Sequence, residues 1–437
     1  MKNFRWWSVI GLAAAAGLAL SGCGSSGNDS SGANVRVANA TLTHPSIDLL
    51  VNAAVAAPAV AADTVSAYVA PASGSVTLQV NDAGGATALV TAVPTLTAGS
   101  HYTLVAYESG GAVKTAVISE DVVLPAAGVT TLRIYDAAIE AGALDVYITT
   151  GADCKSLPAS PTTSFGVLTA VAAVSLTQGA GTYNVCATAA GNRDDLRMTL
   201  PITITGQTVA TVVMTPASGG ALLNGSLLVQ QGTYSPVRNT NARVRLAAAV
   251  SGVASDVTAT YVSDTTLSDG GVAPAFGFYK TVPATSTVNV SVKGLSVQVT
   301  NGSLVAGGDA TLLVYGSPAS ATATLIADDN RPPTSATATK LRLINGVTGS
   351  AGTLTLTANS APVGINIAAG AAAPNYQSLI GTTNNAGTAN TFSFGLTSST
   401  AGPLTLQGGT GTGTVNSNAT YSILAVGDVS APQLLIR

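Results

Sequence analysis

A chain of 437 residues is too long for one ordinary core and suits three or four domains. Charged residues are 8% of it, against roughly 25% in an average soluble domain; the 46% apolar share argues against wholesale disorder. The net charge of −3, or −5 once Lys2 and Arg5 leave with a leader, and the lack of any groove-like Lys/Arg cluster exclude a nucleic-acid-gripping surface.

The first 23 residues, "MKNFRWWSVIGLAAAAGLALSGC", open with basic Lys2 and Arg5 and continue through a largely apolar stretch of 15 residues from Trp6 to Leu20. This is the pattern of a secretory leader, and the apolar run is shorter than the ~20 residues a membrane-spanning helix needs. Its ending, Leu20-Ser21-Gly22-Cys23, resembles the lipobox of bacterial lipoproteins. That resemblance implies a signal peptide at 1–22, lipidation of Cys23 with acyl chains on its sulfur and new amino terminus, and a Gly/Ser tether at 23–33. An ordinary secreted protein with an incidental cysteine is the alternative. Gly24, standing where lipoprotein sorting rules place an Asp for inner-membrane retention, favours the outer membrane of a bacterial envelope.

After the tether, one phrase recurs: "VRVANA" at 35–40, "LRIYDA" at 132–137, "VRLAAA" at 244–249 and "LRLING" at 341–346. Its arginines, Arg36, Arg133, Arg245 and Arg342, are 97, 112 and 97 residues apart. A strand-like run follows each arginine: "IDLLVN", "LDVYIT", "SDVTAT" and "GTLTLT". The first three carry Asp48, Asp145 and Asp256 at 12, 12 and 11 residues after the arginine. Late in each copy come an alternating strand ("HYTLVAY", "VATVVMT", "ATLLVYG", "TYSILAV") and a last apolar run. Period-2 patterns rich in Val, Thr, Ile and Tyr, broken by Gly, Asn, Asp and Pro, read as short antiparallel strands. The expected fold is all-β: four tandem immunoglobulin-like antiparallel β-sandwich domains at 34–125, 130–232, 241–330 and 338–437. Candidate linkers fall at 125–130, 233–240 and 331–339, where proline interrupts the pattern.

The two cysteines besides Cys23, Cys154 and Cys186, read as a disulfide in an oxidising compartment, with two reduced buried thiols as the alternative. The recurring Arg–Asp pairs read as cross-strand ion pairs that fix the register of the first two strands; the alternative is a ligand or metal site displayed three times. One carboxylate per domain is too few for calcium. His44 and His101, the only histidines, read as rim positions, and "GNRDDLR" with Asp194 and Asp195 as a solvated hairpin end with a weaker cation-binding alternative. No catalytic motif, cofactor signature or metal-ligand set emerges.

The Arg-led strand, the following Asp strand and the late "Y-T-L-V-A" strand together resemble a bacterial family known as domain of unknown function 4397. The resemblance runs over nearly all of 34–437 and implies exported, often lipid-anchored chains built of tandem sandwiches. Where that family carries a His-Ala-Ser-Pro-Asp-like segment, this chain reads "NATLTHPSID", "DAAIEAGALD", "AAAVSGVASD" and "NGVTGSAGTL". The expected function is non-catalytic: a lipid-anchored rod of sandwiches that spaces, scaffolds or adheres at the envelope, with a protein or polysaccharide partner. The alternative is a glycan- or small-ligand-binding module, using aromatics such as Tyr68, Tyr102 and Tyr107 or Tyr261, Phe276, Phe278 and Tyr279. A hydrolase with an unrecognised site ranks third.

Overall fold

The structure, a computed structural model, describes residues 32–437 apart from 152, 168–169, 251–255, 263–265, 350–351, 384–387 and 410. The leader at 1–22, Cys23 and the tether up to residue 31 lie outside the described residues. What is described is almost wholly β; one short 3-10 turn, Ile139–Ala141, interrupts it.

Each repeat builds two main sheets around its own apolar cluster, and the first adds a two-stranded ribbon of Gly74–Ser75 with Thr95–Leu96. The repeated phrase is the opening strand: Asn34–Asn39, Val129–Asp136, Asn241–Val250 and Thr339–Asn345. It pairs with a central strand, His101–Ser109, Thr208–Pro216, Asp309–Gly316 or Ala419–Val426. The central strand pairs in turn with a closing strand, Ala112–Ser119, Leu223–Val229, Thr322–Asp328 or Gln433–Ile436. The Asp strands, Ser46–Val51, Leu144–Thr149 and Asp256–Val262, with Leu354–Ala358 in the fourth repeat, belong to the second sheet of each sandwich. Most pairings are antiparallel as expected. The opening and central strands, however, run parallel in all four units. A parallel pair needs a long crossover, and here the second sheet is that crossover.

Alternation explains how one short phrase serves two packings. In the first unit Val35 and Val37 point into the sandwich core with Leu104 and Ala106. Arg36 and Ala38, on the opposite face, would meet water in an isolated sandwich. They do not: Ala38, Val105, Tyr107, Ala116 and Ile118 bury against Ala137, Val213 and Leu228 of the second unit. The third and fourth units repeat this contact with Ala247, Ala249, Phe276 and Leu313 against Ile344, Leu424 and Val426. Sheets therefore stack four deep in each pair of units, with three apolar layers between them. Gly346 marks how close the approach is, since a Cβ there would lie 2.4 Å from that of Ala249.

Within each pair the units pack face to face. End-to-end sandwiches would touch through loops, whereas these bury whole sheet faces. The pairs also touch each other, through Thr281 Oγ1 donating to the Leu196 carbonyl at 3.1 Å and the Gly219 amide donating to Gly307 at 2.9 Å. The stretch 233–240 differs from the linker expectation as well: Tyr234–Val237 is an edge strand on Leu223–Val229. Pro236 is tolerated because an edge strand can spare one donor.

Candidate functional site

The buried polar residues gather where the units meet. Arg36 is 4% exposed and Glu120 2%, just beyond the closing strand. Arg36 donates through Nε to Thr103 Oγ1 at 2.9 Å and to Glu120 Oε1 at 3.2 Å, through Nη2 to Glu120 Oε2 at 2.8 Å, and through Nη1 to the Gly232 carbonyl of the second unit at 2.7 Å. Gln231 answers from the second unit, its backbone amide donating to Glu120 Oε2. Tyr68 covers the guanidinium, 4.7 Å from Arg36 Cζ to the ring centre. Burial, then the Glu120 charge, pushes the Tyr68 phenol well up. Arg133, from the second unit, donates to the Ser119 carbonyl at 2.8 Å.

The third and fourth units rebuild this arrangement. Arg245 donates to Thr311 Oγ1 at 2.9 Å and to the Arg437 carbonyl at 3.2 Å, and its Nη2 lies 3.8 Å from Asp328 Oδ2. Arg342 donates to the Ala327 carbonyl at 2.7 Å and also binds Asp328 Oδ1. Asp328 further accepts from Tyr279 and Thr311, both at 2.6 Å. Aromatic rings flank the cations: Phe276 and Tyr279 over Arg245, Tyr376 over Arg342. Burial, then the Asp328 charge, pushes the Tyr376 phenol to about 12.

The repeated arginines thus have repeated partners, but not the expected ones. Arg36, Arg133, Arg245 and Arg342 stand in register with Thr103, Thr211, Thr311 and Ser422 of the central strands. The supposed Arg–Asp ion pairs do not form, because the two residues sit on opposite sheets of a sandwich and the arginines face a neighbouring unit. Asp48 instead accepts from the amides of Ala59 at 2.7 Å and Gly84 at 2.8 Å. Asp145 accepts from Ser164 Oγ at 2.6 Å and the Gly191 amide at 2.8 Å. Both clamp hairpins within the second sheet. Asp256 is exposed, and its backbone carbonyl accepts from Lys293. The carboxylates Glu120 and Asp328 and the covering Tyr376 were missed in the sequence, and Tyr68 and Tyr279 were named there only as ligand-binding aromatics, although the Thr/Ser signal lay inside the late strands already singled out.

Cys154 and Cys186 form a disulfide, buried with Tyr147, that ties the loop after Leu144–Thr149 to the strand Gly181–Ala189. His44 pairs with Asp82 at 2.6 Å and His101 with Asp121 at 3.1 Å, both at the surface. Asp195 holds Arg197 at 2.8 Å, so part of the "GNRDDLR" segment is an internal ion pair. Among the described residues no three His, Cys, Asp or Glu side chains gather to hold a metal ion, and no helix is long and apolar enough to cross a membrane.

A cleft of about 560 Å³ lies where the second, third and fourth units converge, lined by Glu140, Arg197, Arg243, Asn330, Asn418 and Tyr279 among others. Arg243 grips Asp309 with two bonds at 2.8 and 2.7 Å. Burial alone would lower its guanidinium, but those bonds outweigh it and raise it. Arg197, with less compensation, is lowered by burial and by the charge of Arg243. Tyr279 is no open stacking platform, since Arg243 and Arg245 lie 4.5 Å from its ring centre and its hydroxyl binds Asp328. Of the other aromatic candidates, Tyr107 and Phe276 bury between units, Tyr261 fills the third core and Phe278 is exposed beside Arg437.

Residues 33–147 match the family described as a domain of unknown function (DUF4397). The match covers the first unit and runs on to Tyr147 in the second, so the resemblance carried by the Arg strand, Asp strand and late strand holds there. No curated protein matches the chain. Among solved structures, a candidate cell adhesion protein from Bacteroides uniformis is 11% identical, covering 46% of this chain and 98% of its own, at a TM-score of 0.21. The TIE protein of Bacillus anthracis is 8% identical over 68% of this chain and 51% of its own, at 0.15. A C-terminal fragment of the pilus adhesin SpaC from Lactobacillus rhamnosus GG is 13% identical over 47% and 97%, at 0.10. Likenesses this low carry no functional argument.

Proposed function

We propose that this is a non-catalytic envelope protein, lipid-anchored through Cys23, whose face-to-face sandwiches act as a structural, scaffolding or adhesive block. One observation supports it above the rest. In a chain only 8% charged, Arg36, Glu120, Arg245, Asp328 and Arg342 are all buried at unit contacts. Charges so placed hold units together and leave little to work on a solute. The leader and the lipobox-like Leu20–Cys23 support outer-membrane attachment. Metabolic labelling with a palmitate analogue tests the anchor: label should enter the native chain and vanish in Cys23→Ser. Affinity capture from labelled envelopes with the ectodomain tests the role; turnover of a captured polysaccharide would overturn it.

The second reading is a module for a small polar ligand or glycan, favoured by the three-unit cleft with its amides, Glu140 and Arg197. A volume of that size lies within the usual range of ligand pockets. A glycan array separates the readings. Binding that is lost when Ser417→Tyr fills the cleft would favour this one.

A further inference from the structure

The charges in the wall of the three-unit cleft are already paired with one another. Arg197 is held by Asp195 at 2.8 Å and Arg243 by Asp309 at 2.7 Å. An acidic ligand would have to displace one of these carboxylates, and breaking a buried ion pair is strongly unfavourable. A cationic ligand finds no better hold: Glu140, the carboxylate that lines the cleft, accepts from the Gly110 amide through Oε1, and its Oε2 is buried. The cleft does offer two side-chain amides, Asn416 and Asn418, exposed at the turn between the fourth-unit strands Thr412–Asn416 and Ala419–Val426. Neither makes a side-chain hydrogen bond among the described residues. Val167, Ile139 and Pro332 add apolar surface beside them. Building on the small-ligand reading of this cleft, we propose that it takes an uncharged, hydroxyl-rich oligosaccharide, whose hydroxyls bind the Asn416 and Asn418 amides and whose C–H faces lie on the apolar wall.

A peptide is the rival occupant, and the backbone argues against it. An extended peptide docks by main-chain hydrogen bonds to an open strand edge. Here the Asn416 amide donates to Tyr421 Oη at 3.2 Å, that of Ser417 to the Thr388 carbonyl at 3.0 Å and that of Asn418 to the Ala338 carbonyl at 2.7 Å, so the turn has no main-chain donor to give. The same three bonds fix the turn. Its two side-chain amides therefore stand on a set frame before a ligand arrives, and little order has to be imposed on binding. Asn418 has φ 54°, a conformation that Asn adopts more readily than most residues. A volume of about 560 Å³ has room for a short oligosaccharide.

Titration calorimetry on the full chain tests this, with maltotriose, cellotriose and N-acetylated chitotriose as uncharged probes. Tri-galacturonate is the acidic counterpart and an uncharged Gly-Ser hexapeptide the extended-chain one. At least one uncharged sugar should bind at millimolar concentration or below, and tri-galacturonate at least ~10-fold more weakly. Asn416→Ala and Asn418→Gly should each raise the sugar's dissociation constant by ~3–10-fold, the loss of one hydrogen bond. Glycine suits the left-handed turn, so an unchanged melting temperature in Asn418→Gly separates a ligand contact from a turn-forming role. Preference for tri-galacturonate or the peptide, sugar binding unmoved by both substitutions, or no binding by any of the three sugars would overturn the proposal. Its failure is distinct from that of the cleft reading. Acidic or peptide binding that Ser417→Tyr abolishes ends the uncharged-sugar assignment and keeps the cleft as a ligand site, whereas binding that survives Ser417→Tyr removes the cleft itself.

Discussion

The residue three places after each repeated arginine offers the sharpest prediction. It is Asn39 in the first unit, Asp136 in the second, Ala248 in the third and Asn345 in the fourth. Asn39 Nδ2 donates to the Val60 carbonyl at 3.1 Å and Asn345 Nδ2 to that of Ile367 at 2.9 Å. Their Oδ1 atoms accept from the amides of Thr41 and Val347. Asp136 keeps the second bond, from the Ala138 amide at 2.9 Å, but its Oδ2 is buried without a partner. Burial outweighs that one bond and raises its carboxyl from 3.8 to about 6. The folded state therefore holds the proton more tightly than the unfolded one. The stability this confers is complete below about pH 4 and is lost as pH rises through about 6. The gap corresponds to roughly 3 kcal/mol at neutral pH, in line with the ~1–3 kcal/mol that a buried unsatisfied group costs. Asp136→Asn should then stabilise the protein by ~1–3 kcal/mol at neutral pH, about 2–12 °C in Tm for a cooperative block of about 200 residues. At about pH 4, where the native acid is largely protonated, the two proteins should melt nearly together. Urea unfolding at both pH values is the measurement. A difference that stays constant with pH, or a variant less stable at neutral pH, refutes the reasoning.

Other consequences follow from the contacts. Glu120→Gln leaves the Arg36 charge buried against the second unit and should cost ~3–5 kcal/mol, whereas Arg36→Met combined with Glu120→Leu should come within ~1–2 kcal/mol of the native protein; calorimetry on the native protein and these two variants checks both. Asp145→Ala removes two bonds to an ionised acceptor and should cost ~2–4 kcal/mol in urea unfolding, while exposed Asp256→Ala should change stability by less than about 0.5 kcal/mol. Reducing Cys154–Cys186 should lower stability by ~3–4 kcal/mol in the chain-entropy account, read as a drop in the denaturation midpoint under reductant. Trypsin should then cut sooner at Lys155 than in the oxidised protein.

Much of the architecture was legible in the sequence because it is local. Period-2 alternation around Arg36, Arg133, Arg245 and Arg342 marks strands whatever surrounds them, and the spacing of the phrase announces duplication. Two cysteines left after Cys23 sufficed to nominate the bridge that forms. The partners of the arginines were not legible. Asp48 stands twelve residues from Arg36 and Glu120 eighty-four, so sequence proximity pointed to the wrong carboxylate. Choosing between them required knowing that the opening strand lies parallel to the central one, in a different sheet from the Asp strand. The second use of the phrase was equally hidden, since an apolar face and an arginine look alike whether they meet water or a neighbouring sheet. The sequence by itself determined the strands, their repetition and the bridge, all set by side-chain periodicity and short-range chemistry. The tertiary structure alone decided which faces are covered and which charges pair, because burial is a property of what packs across a surface and is written nowhere along a single strand.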